Sequence, residues 1–254
     1  MHPILFHIGG FPIRSWGVMV SLGVLAGTML AYRLAKREGF DGELIYDYVI
    51  YAIVAGILGA RVWEVIFSWK NYLHDPVSAQ EFWAGGLSVQ GMVAGGVLVT
   101  IWFVRKHRLG FWRFADVLAP GLILGQAIGR IGCLLNGDAY GIPTNSWFGV
   151  VYKPGSPAFD VYGATPLVPA ELMEGAGDLL ILGVLLYLLR RKPFAGFIAL
   201  LYFILYSALR FTLEFWRGDS LMVSGGLKAA QMASVLIAVV AAGIMVVKWR
   251  RQAQ

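Results

Sequence analysis

Arginine residues interrupt several apolar stretches of this 254-residue chain. Arg130 and Arg210 each lie near one end of such a stretch, and Arg61 lies late in another, three residues before Glu64. An arginine at the centre of a bilayer costs about 2.5–3.5 kcal/mol on insertion scales, so it usually faces the protein interior and has a function. The planar guanidinium binds phosphate oxygens in pairs and stays charged at physiological pH. The arginines therefore favour a phosphate ligand, and the phosphate most accessible in a membrane belongs to a phospholipid headgroup.

Acidic residues occur at helical spacing in two further places. One acidic residue lies about one helical turn from an arginine, and two others lie about one turn from each other. Arg210 and Glu214 are four residues apart, so a helix places them on one face, where they could also form a plain ion pair without a ligand. Glu171 and Glu174 are three residues apart and precede an apolar stretch, and we expect them to be solvated. This chemistry suggests a lipid-handling protein but does not identify its reaction.

The composition predicts the class of protein that must position these residues. Hydrophobic residues make up 58% of the chain, charged residues only 14%, and mean hydropathy is +0.67, whereas a soluble domain has about 25% charged residues. Since a bilayer core requires about 20 apolar residues per helix, we predict an all-α polytopic membrane protein with about seven spans. A count of six would follow if the short fifth segment were re-entrant. The predicted spans are 16–35, 45–68, 86–104, 115–135, 177–190, 195–213 and 229–248.

Basic residues concentrate on alternate connections and at the C-terminal end, which predicts the orientation. Loops rich in Lys and Arg stay cytoplasmic, so the N-terminus is expected outside and the C-terminus in the cytoplasm. All the acidic and basic sites above then lie towards the outer leaflet. The formal charge of +6 follows from this topology and is no sign of nucleic-acid binding. The basic residues used are Arg33, Lys36, Arg37, Arg105, Lys106, Arg108, Arg113, Arg190, Arg191, Lys192, Lys248, Arg250 and Arg251.

We predict one membrane domain over 1–254 with two segments outside the bilayer. Residues 1–15 lack a basic start and contain two prolines, so they are expected to lie at the outer interface rather than to form a cleaved signal peptide. Trp16 then sits at headgroup depth. Residues 136–176 are rich in proline and glycine and predict a small external cap between the fourth and fifth spans.

Glycines at four-residue spacing within the spans predict close helix packing, because glycine lets helix backbones approach each other in lipid. The pairs are Gly23–Gly27, Gly91–Gly95, Gly121–Gly125 and Gly125–Gly129. Cys133 is the only cysteine and has no adjacent histidine, so we interpret it as a small buried hydrophobe rather than a nucleophile. The histidines are scattered, and no metal site is predicted.

Several strings resemble the sequence signatures of the bacterial prolipoprotein diacylglyceryl transferases. GRIGCLLNGDAYG at 129–141 resembles the family signature G-R-x-G-N-F-x-N-x-E-x-x-G, and GGLS at 85–88 is similar to the start of G-G-L/M-S-x-H-G. RFTLEFWR at 210–217 fits R-F-x-x-E-F-x-R, and VPAELME at 168–174 is similar to H-P-x-Q-L-Y-E. Together with GAR at 59–61, these matches occur in family order across nearly the whole chain.

The resemblance implies an activity. Such enzymes transfer an sn-1,2-diacylglyceryl group from phosphatidylglycerol to the lipobox cysteine thiol of a prolipoprotein signal peptide, the first step of bacterial lipoprotein maturation. Glycerol phosphate is released and a thioether forms. Phosphatidylglycerol, the prolipoprotein and membrane lipids are the implied partners, and the bacterial cytoplasmic (inner) membrane is the implied location. No metal or organic cofactor is implied.

The resemblance also implies roles for residues. Arg130 and Arg210 would hold the phosphate, Glu214 would orient Arg210, and Asp138 stands where the family has a glutamate. These four form the predicted catalytic set. The predicted substrate-binding residues are Gly86, Ser88, Gln90, Asn136, Gly141, Trp16, Arg61 and Glu174.

The sequence departs from the family pattern at several polar positions. Gln90 replaces the family histidine and cannot act as a general base, Cys133 replaces the signature asparagine, and Trp16 replaces a tyrosine. The string at 168–174 has lost its His, Gln and Tyr. Either the base lies elsewhere, the arginines alone generate the thiolate, or the chain uses another acceptor or donor or is inactive. The alternative bases are Glu171, Glu174, His7 and His74.

Two rival functions belong to other classes. A transporter would distribute polar residues through the bilayer depth and often carries inverted repeats with broken helices, whereas here the polar groups gather at one edge. A related lipid transferase or a non-catalytic phospholipid-binding protein would keep the arginines, and only an activity assay separates these from a diacylglyceryl transferase.

Overall fold

The computed structural model describes residues 3–69, 88–220 and 228–252. Two short strands and eight α-helices form within these ranges, together with a 3₁₀ turn at Glu214–Trp216. The strands are β1 (Ile4–Ile8) and β2 (Phe11–Arg14). The helices are α1 (Ser15–Arg37), α2 (Glu43–Phe67), α3 (Val89–Lys106), α4 (Phe111–Asn136), α5 (Pro157–Tyr162), α6 (Ala170–Leu189), α7 (Phe197–Leu213) and α8 (Ala229–Gln252).

The chain divides into two compact units. The first comprises Met1–Ala31 and Ala115–Gln254, and the second comprises Tyr32–Phe114. The arginines Arg130 and Arg210 both belong to the first unit, whereas Arg61 and Gln90 belong to the second.

Six helices of the described residues are long and apolar enough to cross a membrane, namely α1, α2, α4, α6, α7 with its 3₁₀ extension, and α8. Much of α2 and α8 is exposed apolar surface, as expected for helices that face lipid. The 18-residue helix α3 is not among the six. It is short, and Gln90 near its start and Arg105 and Lys106 at its end lower its mean hydropathy. The predicted all-α multi-pass class is confirmed, while seven spans and the orientation stay predictions.

The fifth predicted span begins earlier than expected. The sequence predicts a start at 177, but α6 begins at Ala170, directly after Pro169. The prediction that Glu171 and Glu174 are solvated is therefore wrong, since both lie in the first turns of α6 and are fully buried. The glycines that obscured the start mark close packing instead, because a Cβ at Gly175 would lie 3.3 Å from Cβ of Arg130.

Glycine pairs bring α1 and α4 together in the first unit. Gly23 faces Gly125 and Gly27 faces Gly121, and a Cβ added at Gly27 would lie 2.5 Å from the Gly121 carbonyl oxygen. The predicted close packing is confirmed for these pairs. Gly129 differs, because a Cβ there would meet no atom of the described residues within 4 Å.

The second unit contains an equivalent glycine contact between α2 and α3. Gly59 packs against Gly91, and Gly95 packs against Ala55. The predicted packing at Gly91–Gly95 is therefore confirmed as well.

The N-terminal segment forms an antiparallel hairpin of β1 and β2. Gly9 and Gly10 make its two-residue turn with φ values of 54° and 86°, a conformation that glycine adopts without strain. The hairpin leads directly into α1, where the Ser15 amide donates to the Pro3 carbonyl. Its position at the membrane interface stays a prediction.

Residues 137–169 form a folded segment between α4 and α6. The short helix α5 lies within it, and the buried residues Tyr140, Tyr152, Ala158 and Leu167 form a small hydrophobic core. Isolated bridges pair Pro143 and Val150 with Leu167, and a further one pairs Gly141 with Arg217. The segment thus has its own core, although its predicted external location is not tested.

Candidate active site

Three helices of the first unit present charged residues at the same place. Arg130 lies in the last two turns of α4, Glu174 in the second turn of α6, and Arg210 in the last turn of α7. Since α6 runs opposite to α4 and α7, the carboxylate near the start of α6 can meet both arginines.

Glu174 is fully buried and is the centre of this cluster. Arg130 Nη2 donates to its Oε1 at 2.6 Å, and the Tyr206 hydroxyl donates to the same oxygen at 3.1 Å. Its Oε2 lies 3.4 Å from Arg217 Nη1 and 3.6 Å from Arg210 Nη1. One carboxylate therefore holds three guanidiniums together, which explains why it is buried rather than solvated.

Glu214 contacts the second arginine of the cluster. Its Oε2 lies 3.1 Å from Arg210 Nη2, and its side chain is almost completely buried. This is the pair expected from the four-residue spacing. The Lys228 ammonium donates to the backbone carbonyls of Glu214 and Arg217, and so ties the residue before α8 to the end of α7.

Arg217 is committed to contacts within the protein. Its Nε and Nη2 donate to both carboxylate oxygens of Asp219 at 2.9 and 2.5 Å, and its third contact is the one to Glu174. Burial lowers the pKa of Arg217, but the hydrogen bonds and charge of Asp219 outweigh this effect and raise the pKa above its ordinary value. Arg217 is therefore a permanently charged structural part of the cluster.

Arg130 and Arg210 keep most of their donors uncommitted within the described residues. Arg130 makes one hydrogen bond, and Arg210 only approaches Glu174 and Glu214 at ion-pair distance; Arg210 Nη1 is buried without a hydrogen-bond acceptor. About a fifth of each side chain is exposed. A guanidinium has five N–H donors, so these two arginines can bind an incoming oxyanion.

A cleft of about 220 Å³ lies between α4 and α6 beside Arg130. Most of its lining is apolar, and Arg130 and Glu171 are its charged residues. It can therefore accept a hydrocarbon group whose polar end is held by a guanidinium. The lining residues are Ala127, Arg130, Ile131, Glu171, Leu172, Gly175, Ala176 and Leu179.

Glu171 is fully buried and pairs with a tyrosine of the 137–169 segment. The Tyr152 hydroxyl donates to Oε1 at 2.8 Å and to Oε2 at 3.0 Å. Burial, followed by the charge of Glu171, raises the pKa of Tyr152 far above its ordinary value. Tyr152 therefore stays protonated and always acts as the donor of this pair.

The remaining signature residues lie where α4 ends. Asn136 Nδ2 donates to Asp138 Oδ2 at 2.7 Å, and Asp138 Oδ1 is buried without a partner among the described residues. The Gly141 amide donates to the Val168 carbonyl, and a Cβ on Gly141 would lie 2.8 Å from the Trp216 carbonyl oxygen. Gly141 thus lets the segment pass close to the backbone just before Arg217.

A family model described as prolipoprotein diacylglyceryl transferase matches residues 3–247. The chain belongs to the prolipoprotein diacylglyceryl transferase family. It is 35% identical to the phosphatidylglycerol–prolipoprotein diacylglyceryl transferase of Halalkalibacterium halodurans, over 99% of this chain and 86% of that protein. Proteins of the same name from Finegoldia magna (35% identity; 99% and 97% covered) and Synechocystis sp. (36%; 96% and 88%) are similar over comparable lengths.

The other residues predicted for this diacylglyceryl transferase site belong to the second unit, to the start of α1, or to segments outside the described residues. Arg61 on α2 and Ser88 and Gln90 at the start of α3 belong to the second unit; the Ser88 hydroxyl donates to Gln90 Oε1 at 2.7 Å. Trp16 is the second residue of α1 and is 44% exposed, and a Cβ added at Gly132 of α4 would lie 3.3 Å from its Cα. The predictions for Gly86 and His74 lie outside the described residues.

Sequence reasoning did not assign a site role to several members of the cluster. The sequence marks Arg217 only as the last residue of a family motif, and its contact with Glu174 joins the end of the 3₁₀ turn to α6. Tyr206 lies four residues before Arg210 on α7, so helical spacing could have indicated that both face Glu174. No sequence pattern indicates a role for Tyr152, because only the fold of the 137–169 segment brings its hydroxyl to Glu171. Among the described residues, no group of three His, Cys, Asp or Glu side chains could hold a metal ion.

Proposed function

We propose that this chain transfers the sn-1,2-diacylglyceryl group of phosphatidylglycerol to the lipobox cysteine thiol of a prolipoprotein, in the bacterial cytoplasmic membrane. Membership of the family and relatives carrying this activity in their names support the reaction. The observation that carries the site is the pair of arginines, Arg130 and Arg210, which share Glu174 and keep donors free; Arg130 also lines an apolar cleft.

The geometry suggests how the lipid binds. The phosphate of phosphatidylglycerol accepts hydrogen bonds from Arg130 and Arg210, while Glu174 and Glu214 hold these side chains in place. The apolar cleft beside Arg130 takes the glyceryl part next to the phosphate. Buried guanidiniums that are fixed before the reaction stabilise developing negative charge more strongly than water does.

The reaction exchanges one bond for another. The acceptor thiol, with an ordinary pKa near 8.5, loses its proton and attacks as thiolate. A C–S bond forms at the glyceryl carbon while the C–O bond to the phosphate breaks, and the electron pair leaves with the oxygen of glycerol phosphate. The arginines bind this leaving group, whose charge increases as the bond breaks. The reaction balances without a cofactor.

One observation favours a second candidate, a non-catalytic phospholipid-binding protein. Gln90 stands where the family has a histidine, and its Oε1 accepts a hydrogen bond from the Ser88 hydroxyl. Such a protein would keep the arginine cluster and bind phosphatidylglycerol without turnover.

The test is transfer from radiolabelled phosphatidylglycerol to a lipobox peptide by the purified protein in liposomes. We expect the wild type to label the peptide, and a peptide with serine in place of the lipobox cysteine to remain unlabelled. Lipid binding without transfer would contradict the proposal and favour the second candidate. If only the Gln90→His variant transferred the diacylglyceryl group, the wild-type chain would have the family's fold without its activity.

A further inference from the structure

The proposed reaction requires a group that takes the proton from the acceptor thiol, and Gln90 cannot do so. The following inference rests on the proposed function. Candidates are the carboxylates and histidines of the first unit that could face the lipid bound at Arg130. His7 is exposed and lies on β1, where it pairs with Pro12 of β2.

Glu174 lies beside the arginines but has no oxygen left for a substrate. Oε1 accepts from Arg130 and Tyr206, and Oε2 faces both Arg210 and Arg217. A thiol cannot approach either oxygen without displacing a guanidinium. Glu174 is therefore committed to positioning the arginines.

Glu171 lies one turn earlier on the same helix and is much less occupied. Among the described residues its side-chain donor is the Tyr152 hydroxyl, whose single proton is shared between the two oxygens, and its own backbone amide also contributes a hydrogen bond. A carboxylate can accept about four hydrogen bonds, so Glu171 can still accept a hydrogen bond from a substrate. Arg217 and Asp138 are charged groups on other segments that act on Glu171 electrostatically, and Arg130 lines the same cleft.

Glu171 also has the right location. It lines the same cleft as Arg130, and the other lining residues are apolar. A thiol that attacks a lipid held at Arg130 would enter this cleft and meet a carboxylate there. Because Glu171 is fully buried without substrate, the lining side chains must move aside to admit the acceptor.

We propose that Glu171 is the catalytic residue that removes the proton from the acceptor thiol. The thiol proton moves to the Glu171 carboxylate as the thiolate attacks the glyceryl carbon and the C–O bond to the phosphate breaks. Glu171 then gives the proton to the departing glycerol phosphate or to water and returns to its starting form. Tyr152, which stays protonated, orients the carboxylate as a positioning residue.

A pair of acceptor peptides separates a base from a structural carboxylate. One peptide carries cysteine in the lipobox, and the other carries selenocysteine, whose selenol is already ionised at neutral pH and needs no base. General bases contribute about 10²–10⁴-fold to a rate. We expect Glu171→Gln to lower kcat with the cysteine peptide at least about 100-fold, to leave KM for phosphatidylglycerol within a few fold, and to stay within about tenfold of the wild type with selenocysteine.

Asp178 provides the matched control on the same helix. Its carboxylate is also fully buried, and neither oxygen has a hydrogen-bond partner among the described residues, but it does not line the cleft. We expect Asp178→Asn to transfer to both peptides within a few fold of the wild type. A loss confined to the cysteine peptide in Asp178→Asn, with Glu171→Gln unaffected, would overturn the assignment.

Further outcomes decide against the inference in distinguishable ways. If Glu171→Gln lowered transfer equally with both peptides, the carboxylate would have a structural role. If transfer to the cysteine peptide were unchanged, Glu171 would not be the group that removes the proton. If Glu171→Gln fails to fold, Glu171→Asp is tested instead. Because the aspartate side chain is shorter, it should slow transfer to the cysteine peptide more than transfer to the selenocysteine peptide. A wild type that modifies neither peptide would overturn the proposed function and this inference together.

Discussion

Two buried carboxylates occupy opposite ends of the first unit, and their surroundings differ. Asp116, in the second turn of α4, accepts from the backbone amides of Gly196 and Ala199 at 2.8 and 3.0 Å and lies 3.6 Å from the Lys192 ammonium. Glu174, at the other end, holds three guanidiniums and a phenol. Both are inaccessible to solvent.

The two carboxylates differ in how many hydrogen-bond donors their partners keep free. The amides that meet Asp116 belong to the start of α7, where a helix has unpaired N–H groups, and each has its single proton committed. The guanidiniums at Glu174 each have five donors, and Arg130 and Arg210 use few of them. One carboxylate thus closes a helix end, whereas the other assembles donors for a ligand. Burial of a charge alone does not distinguish structure from function.

Removing an arginine at the Glu174 end should have the largest effect. We expect Arg130→Ala and Arg210→Ala each to lower diacylglyceryl transfer by about 10²–10³-fold, the range for loss of one transition-state donor. Arg130→Lys keeps the charge but loses the planar fork, and is expected to lose less, about 10–100-fold. The measurement is the rate of peptide labelling from radiolabelled phosphatidylglycerol.

Arg191 is the matched control at the opposite end. It is exposed and donates to the Tyr187 hydroxyl on its own side of the unit. We expect Arg191→Ala to transfer within about twofold of the wild type. If it slowed transfer as much as Arg130→Ala, the contrast between the two ends would be wrong.

Neutralising each carboxylate in turn should separate stability from activity. Glu174→Gln leaves three guanidiniums facing one another, and breaking a buried ion pair costs about 3–5 kcal/mol, so both the free energy of unfolding and transfer should fall. Asp116→Asn loses an acceptor for one amide and the attraction of Lys192, a cost of about 1–2 kcal/mol. Its transfer per folded molecule should remain near the wild-type value.

Thermal unfolding in detergent, alongside transfer normalised to folded protein, measures both quantities. An Asp116→Asn variant that folds but has lost transfer would show that the closed end also participates in catalysis. A fully active Glu174→Gln variant would show that the arginines need no shared carboxylate.

Much of this arrangement could be predicted from sequence, because its signals are local. The apolar segments predict membrane helices, the four-residue spacing predicts the contact of Arg210 with Glu214, and the glycine pairs predict the packing of α1 against α4. Each depends on helical periodicity alone.

The wrong and missing parts depend on contacts between distant segments. Glu171 and Glu174 look solvated in sequence because they precede an apolar run, and only partners on other helices and in the 137–169 segment explain their burial. The link between Arg217 and Glu174 spans 43 residues of sequence. No spacing rule indicates which arginine has its donors committed to Asp219 and which keeps them free.

The smallest predicted effects concern the middle of α4, which connects the two ends. Gly121 and Gly125 lie between Asp116 and Arg130 on this helix and meet Gly27 and Gly23 of α1. In Gly27→Ala, the new Cβ would lie 2.5 Å from a backbone oxygen that cannot rotate away, so the helices must separate. Overpacking of this kind costs about 1–3 kcal/mol, and we expect a lower thermal midpoint.

Gly183→Ala is the matched control, because a Cβ at Gly183 on α6 meets nothing of the described residues within 4 Å. We expect it to be neutral or to stabilise by less than about 1 kcal/mol. The sharper measurement is transfer by folded Gly27→Ala protein. A displacement of α4 moves Arg130 away from Glu174 but leaves Arg210 and Arg217 in place, so transfer should fall by several fold more than the loss of folded protein explains. Equal falls in both quantities would mean that the glycine contact supports the fold without positioning the arginine.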